Sequence, residues 1–160
     1  MALTKDTIAS TYPLPVYNYR VSIESITLGF SEVSGLQVEY EPVTYKHGLS
    51  FVMGSKIIPG MRQPIKVTMK RGMLKKEGSD TTQDSFLSDW MKDTYADPFR
   101  NHKKDILIDL CDEKGSPVIR WKVQGALPIK IEAPTFSANS NDVAIETMEV
   151  IAHGLDVSYP

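Results

Sequence analysis

The chain has 160 residues, a common size for one domain, and is long enough to bury a core without metals or disulfides. Its composition, with 41% hydrophobic and 24% charged residues, excludes wholesale disorder and collagen-like or coiled-coil repeats. The formal net charge of −2 is too balanced to indicate nucleic acid or an anionic membrane as a partner, and the single cysteine, Cys111, excludes an internal disulfide.

Most of the chain alternates between apolar and polar residues, which is typical of strands with one buried face. Gly125 interrupts the alternation, so we expect a break there, and a polar turn is predicted at residues 113–117. The predicted strands lie at residues 17–23, 30–33, 65–69, 106–110, 119–123, 129–131 and 143–151.

One segment has helical spacing instead. Apolar residues recur there at intervals of three and four, which predicts a short amphipathic helix over about residues 83–96. Asp97 and the proline after it would end this helix. We interpret its apolar stripe as core packing against a sheet; the stripe consists of Phe86, Leu87, Trp90, Met91 and Tyr95.

The segment from residue 41 to residue 64 is the most informative part of the chain. Its prolines and glycines predict a long extended loop, and loops of this length are uncommon and usually functional or disordered. Yet nine of its 24 residues are large and apolar, so either the domain itself or another subunit must cover them. They are Val43, Tyr45, Leu49, Phe51, Val52, Met53, Ile57, Ile58 and Met61.

No constellation of catalytic or metal-binding residues is recognisable. His47, His102 and His153 lie in unrelated contexts, without a nucleophile turn, a zinc-type pairing or a phosphate-binding glycine loop. Cys111 lies in a strand pattern, where we interpret it as a small buried hydrophobe. We therefore predict that the protein is not an enzyme and that it has no cofactor and no metal.

The charged residues are interpreted as solvated faces of strands. This interpretation covers six carboxylates that could otherwise pair as acid and base, namely Glu24, Glu32, Glu39, Glu41, Glu146 and Glu149. It also covers a basic cluster that lacks the interleaved aromatic residues needed for base stacking, formed by Arg62, Lys66, Lys70, Arg71, Lys75 and Lys76.

Ten short blocks follow one another along the chain, and their order is more specific than any one of them. They are residues 19–23, 30–36, 45–48, 58–60 and 67–72, Trp90, Arg100, and residues 105–108, 121–130 and 144–154. This order resembles the tail-tube protein family of contractile phages and of phage-tail-like extracellular contractile injection systems. That family is related to the haemolysin-coregulated protein of type VI secretion.

The resemblance implies a mainly β fold, an antiparallel two-sheet barrel-like sandwich with one short flanking helix. It implies a single tube-protein domain over residues 1–160, with an N-terminal arm at residues 1–14. The loop at residues 41–64 would be an extended inter-subunit element, and its nine apolar residues would lie in subunit interfaces.

The implied function is that of a structural subunit of the inner tube of a contractile injection apparatus. Hexameric rings would stack into a hollow conduit that a contracting sheath drives into the target. The expected partners are further copies of the chain, the sheath, baseplate or hub proteins, and a cargo effector or nucleic acid in the lumen, without membrane insertion by this chain. Because the first residues lack the apolar core of a secretory signal, we expect assembly in the producer cytoplasm and action in a released particle or virion tail.

Three alternatives stay open at this point. The chain could be a ring-shaped adaptor or tube-initiating protein of the same fold at the baseplate or tube end. It could be a monomeric β-barrel that binds a small apolar ligand, with the loop as its lid. It could also be a hydrolase whose carboxylates meet only in the folded protein.

Overall fold

A computed structural model describes residues 11–75 and 82–160, which form ten strands and two helices. The first ten residues of the predicted arm, and Lys76 of the basic cluster, lie outside the described residues. The strands are β1 (Tyr19–Ile23), β2 (Ile26–Leu28), β3 (Glu32–Ser34), β4 (Val43–Tyr45), β5 (Lys56–Ile58), β6 (Ile65–Gly72), β7 (Lys104–Cys111), β8 (Pro117–Glu132), β9 (Ile145–Ala152) and β10 (Gly154–Ser158). The helices are α1 (Ser50–Met53) and α2 (Thr82–Ala96), and neither has the length and apolar character needed to span a membrane.

Eight of these strands form one antiparallel sheet that is folded into two layers; seven follow one path, and β10 pairs beside it with β8. Sheet A has the strand order β2-β1-β7-β8-β10, and sheet B has the order β8-β9-β6-β3. Strands β2 and β3 lie at the two ends of this path and do not pair, so the layers form a sandwich rather than a closed barrel. The predicted fold class, with two antiparallel sheets and one flanking helix, is confirmed.

The predicted break at Gly125 is a bend within one long strand. Gly125 has a φ of 62°, in the left-handed region that glycine adopts without a steric penalty. As far as Ala126 β8 pairs with β7, and from Leu127 onward it pairs with β9. The Gly125 N–H donates to Asp105 Oδ1 at 3.0 Å, which fixes the bend to β7. Strand β8 therefore leaves sheet A and enters sheet B without an intervening loop.

The core lies between the two sheets and under α2. Most residues of the inward rows are fully buried, as the alternation predicts, whereas Tyr19 and Trp121 are partly buried against them. Helix α2 adds Leu87 and Trp90. The Trp90 indole N–H donates to the His102 carbonyl at 2.9 Å, so its polar atom is satisfied. The buried strand residues include Val21, Ile23, Val67, Met69, Ile106, Val123, Met148 and Val150.

Two interpretations of charged residues are wrong. Arg71 and Glu146 are not on a solvated strand face: their side chains are 11% and 7% exposed and form an ion pair. They lie opposite each other in the register of β6 and β9, on the inward rows. Arg71 also donates to the main-chain carbonyls of Gln83 and Asp84, so it attaches the first turn of α2 to sheet B.

The first predicted strand starts too early, because β1 begins at Tyr19 and Tyr17 is exposed. Similarly, β9 begins at Ile145, and Val143 is exposed before it. These differences are confined to the ends of elements, where fraying and capping rather than the periodic pattern decide the boundary.

Gly35 provides a test of the packing between β3 and β6. It has a φ of 87°, and a Cβ atom there would lie 2.1 Å from the Lys66 carbonyl oxygen. We expect Gly35→Ala to lower the free energy of unfolding by about 2 kcal/mol or more, because a backbone oxygen must move in addition to the left-handed strain. Urea denaturation monitored by circular dichroism measures this loss.

Gly115→Ala is the matched control. Gly115 has a φ of 81°, and nothing lies within 4 Å of a Cβ placed there. This variant should lose only the backbone term of about 1 kcal/mol. Equal losses in the two variants would contradict the close approach of Gly35 to β6.

Candidate assembly surface

The segment predicted to be an extended loop is a β-hairpin, which we define as residues 41–64. Its strands β4 and β5 form a separate two-stranded sheet, with Val43 opposite Ile58 and Tyr45 opposite Lys56. Helix α1 lies between these strands. The prolines and glycines of the segment therefore bound short regular elements instead of abolishing them.

The root of the hairpin is held by backbone and side-chain hydrogen bonds. A β-bridge pairs Tyr40 with Arg62, and the Gln63 N–H donates to the Glu39 carbonyl at 2.8 Å. The Arg62 guanidinium donates to the carbonyl of His153, the residue between β9 and β10. These contacts join the root to the corner where the two sheets meet.

Beyond its root, the hairpin leaves its apolar side chains in solvent. Every residue of β4 and β5 is exposed, and none of the hairpin side chains that the structure describes belongs to the buried core. Isolated two-stranded hairpins are marginal in water, and large exposed apolar patches are typical of interaction surfaces. The exposed fractions are 88% for Phe51, 82% for Met61, 74% for Ile57 and 69% for Val52, and about half for Val43, Tyr45, Leu49 and Ile58.

The hairpin presents apolar groups on both faces and at its tip. Val43, Tyr45 and Ile58 share one face, whereas Ile57 lies on the other face opposite Thr44. Leu49, Phe51 and Val52 are at the tip, in and beside α1. Met53 belongs to α1, but its side chain is outside the part that the structure describes. A single flat contact would therefore cover only some of these side chains.

The histidines and the cysteine do not come together as a reactive group. His47 lies in the hairpin, His102 between α2 and β7, and His153 at the surface between β9 and β10. Cys111 is buried, as predicted, with its sulfur 3.8 Å from the Asp109 carbonyl oxygen. Across residues 11–75 and 82–160, no three His, Cys, Asp or Glu side chains are grouped as metal ligands would be.

Each of the buried carboxylates is paired with arginine. Asp109 accepts hydrogen bonds from Arg120 Nε at 2.6 Å and from Arg120 Nη2 at 2.9 Å, and Arg20 lies 3.5 Å away. The hydrogen bond from Arg120 is the largest cause that holds the pKa of Asp109 below its ordinary value. Glu146, in the other sheet, is paired with Arg71. Neither acid is arranged for proton transfer, so the hydrolase alternative gains no support.

An apolar pocket of about 330 Å³ opens between β1, β3 and β7. Its lining includes Tyr19, Val33, Leu36, Leu110 and Trp121, and it contains no residue of the hairpin. The ligand-binding alternative requires the hairpin to act as a lid, but the hairpin does not cover this pocket.

Several large exposed apolar residues outside the hairpin were not singled out from the sequence. Val16, Phe99 and Phe136 are exposed by 84% or more. The signal that could have identified the two phenylalanines is an aromatic residue within a proline-containing polar turn, after Pro98 and Pro134 respectively.

Comparisons with known proteins find one matching family model. The family model described as "T4-like virus tail tube protein gp19" matches residues 15–156. No curated protein sequence matches significantly.

Among solved structures, one similar chain comes from an extracellular contractile injection system, the PVC sheath-tube complex in its extended state. It is 27% identical, with a TM-score of 0.81, and the alignment covers 99% of this chain and 100% of that one. A chain of the anti-feeding prophage tube-terminating cap is 27% identical, with a TM-score of 0.77 and full coverage of both chains. Hcp1 from Flavobacterium johnsoniae shares the fold, with 13% identity, a TM-score of 0.53, and coverage of 90% of this chain and 97% of that one.

The ionised Asp109 predicts a stability change at acid pH. Because its pKa is lower in the folded chain than in the unfolded chain, its contribution is complete above about pH 4 and is lost as the pH falls through the folded-state pKa. Wild-type protein should therefore lose more stability than Asp109→Asn between about pH 5 and pH 3. Urea denaturation at several pH values measures the difference.

Asp105→Asn is the control, since Asp105 is half exposed and lies 3.6 Å from Lys122, and an amide oxygen at this position can still accept the hydrogen bond from the Gly125 N–H. At pH 7 this variant should lose about 0–1 kcal/mol, against about 1–3 kcal/mol for Asp109→Asn. If wild type and Asp109→Asn have parallel pH profiles, the assigned role of the Asp109 charge is wrong.

Proposed function

This chain belongs to the T4-like virus tail tube protein family, and we propose that it is a structural subunit of the inner tube of a contractile injection apparatus. The observation that carries the proposal is the hairpin, whose apolar side chains no other described part of the chain covers. The likeness to the PVC sheath-tube chain over almost the whole of both chains supports it. The family is one of structural tube proteins, and the role proposed here needs no turnover.

In this proposal residues 1–160 form one domain, residues 1–14 an arm and residues 41–64 the inter-subunit element. Six copies form a ring through head-to-tail contacts that close on themselves, and further contacts repeat along the axis to build a hollow tube. A sheath surrounds the tube, baseplate or hub proteins hold its end, and cargo passes through its lumen. Assembly takes place in the producing cell, and the finished particle acts after release.

The hairpin has two apolar faces and an apolar tip, which fits contacts with more than one neighbouring copy. Permanent interfaces resemble a domain core cut in half, and Phe51, Ile57 and Met61 supply side chains of that kind. The nine apolar residues of the segment are therefore the proposed subunit-interface residues.

A second candidate function is a ring-shaped adaptor at the end of the tube. The likeness to the anti-feeding prophage cap supports it, because that chain is matched over its full length at the same identity of 27% as the tube chain. The two candidates share one fold and differ in whether the ring stacks on further copies of itself.

Replacing Phe51 and Ile57 together with Asp should abolish assembly while the monomer stays folded. Both side chains are exposed in the single chain, so the substitutions cost little there, but they would bury two charges in an interface. Negative-stain microscopy and light scattering measure assembly, and circular dichroism checks the fold.

Phe51→Leu combined with Ile57→Val is the matched control, because it keeps both positions apolar, and it should still assemble. Tubes of normal length from the Asp variant would rule out the hairpin as the assembly element.

Microscopy of the purified wild-type protein separates the two candidate functions. A repeating tube subunit should form open-ended tubes of variable length, whereas an end adaptor should stop at single rings. A monomer near 17.9 kDa at high protein concentration would contradict both.

A further inference from the structure

The outward face of sheet B carries equal numbers of positive and negative side chains. On β6, the residues between the buried Ile65, Val67 and Met69 point outward, and the partner strands continue this row. Each cation of the row lies beside an anion, because Lys66 is 3.0 Å from Glu149, Lys70 is 3.2 Å from Glu32, and Lys130 is 3.2 Å from Glu132.

The outward face of sheet A has the same balance with other residues. Its cations are Arg20, Arg120 and Lys122, and its anions are Asp105, Asp156 and Asp109, whose carboxylate is buried against the two arginines. Asp109 contacts both arginines, Asp105 lies 3.6 Å from Lys122, and Asp156 is opposite Lys122 in the register of β10 and β8.

We propose that the strands of the tube wall present no net charge to the channel, and that the wall fits a polypeptide passenger with charges of both signs rather than a polyanion. The proposal rests on the proposed tube function and adds to it that the outward face of one sheet lines the channel. Because each face has three cations and three anions, the result is the same for either sheet.

The physical reason is the pairing of opposite charges at short range. Nucleic acids bind where uncompensated Lys and Arg side chains displace counterions from phosphates, and here a carboxylate neighbours each cation. Opposite charges at such short distances largely cancel each other's field. Salt screens what remains beyond about one Debye length, about 8 Å at physiological salt.

The remaining polar character still suits a protein surface. Lys66 and Lys122 have side chains that are 55% and 45% exposed, so they remain available for transient hydrogen bonds. Within the outward rows of these described strands there is no aromatic side chain on which a base would stack, since Tyr19 and Trp121 lie on the inward rows.

Co-sedimentation with assembled tubes tests the proposal. Tubes first confirmed by microscopy are mixed at low salt with a labelled single-stranded DNA of about 20 nucleotides or with an oligolysine of similar length. Nuclease or protease is then added, so that only probe held inside the channel is counted. Wild-type tubes should retain both probes equally and weakly.

Two double variants, one for each sheet, should make the tube retain DNA in preference to oligolysine. Glu132→Gln with Glu149→Gln leaves sheet B with an excess of two positive charges, and Asp105→Asn with Asp156→Asn does the same for sheet A. The variant on the channel side should retain about tenfold more DNA than wild type, and salt should remove this gain. The control adds Lys66→Gln and Lys130→Gln to the sheet B variant, which restores the balance and should return retention to the wild-type level.

The possible failures are distinguishable. Absence of tubes would overturn the proposed function, and this inference with it. Normal wild-type tubes that retain DNA about tenfold above oligolysine would overturn the inference alone, as would tubes in which neither charged variant gains DNA.

Discussion

Strand β8 pairs with three other strands, and the rest of the structure depends on this pairing. Its first part lies between β7 and β10, and its last part pairs with β9. A flat strand cannot serve two layers, so the left-handed Gly125 provides the bend, and the register shifts near Pro128, which has no N–H to donate. The two layers, the core between them and the position of α2 follow from this bend.

The core closes without help from the hairpin. Both sheets and α2 supply its buried residues, and the inward pair of Arg71 and Glu146 ties the start of α2 to sheet B. The apolar residues of the hairpin are therefore surplus to the stability of the single chain. This separation allows one surface to be specialised for association while the domain keeps its own core.

Period-two alternation was a sound guide to the sheets because burial on one face is a local property of the sequence. It predicted the inward rows of β1, β6, β7 and the first part of β8 correctly, whereas beyond Gly125 a register shift at residues 128–130 places Pro128 rather than Ile129 in the buried row. The predictions for Arg71 and Glu146 were wrong because both were interpreted as exposed from their charge. Their positions in the alternating pattern were given less weight. Arg71 is in phase with Val67 and Met69, and this would have indicated an inward position.

The sequence was less informative about the hairpin and about β8. The dense prolines and glycines of residues 41–64 conceal two strands of three residues each, which are too short to produce a periodic signal. At Gly125 the pattern indicated an interruption, but it could not distinguish a turn between two strands from a bend within one, because that depends on distant partners. The interface residues remain predictions for the same reason, since their partners are on other chains.

The attachment of the hairpin has a mechanical consequence. Its second strand continues within a few residues into β6, which lies between β3 and β9 and is bonded to both. A pull on the hairpin along the axis of β6 loads these backbone hydrogen bonds together, in shear, rather than unzipping them one after another. A subunit held by its neighbours at this point therefore bears force through a strand that is hydrogen-bonded on both sides.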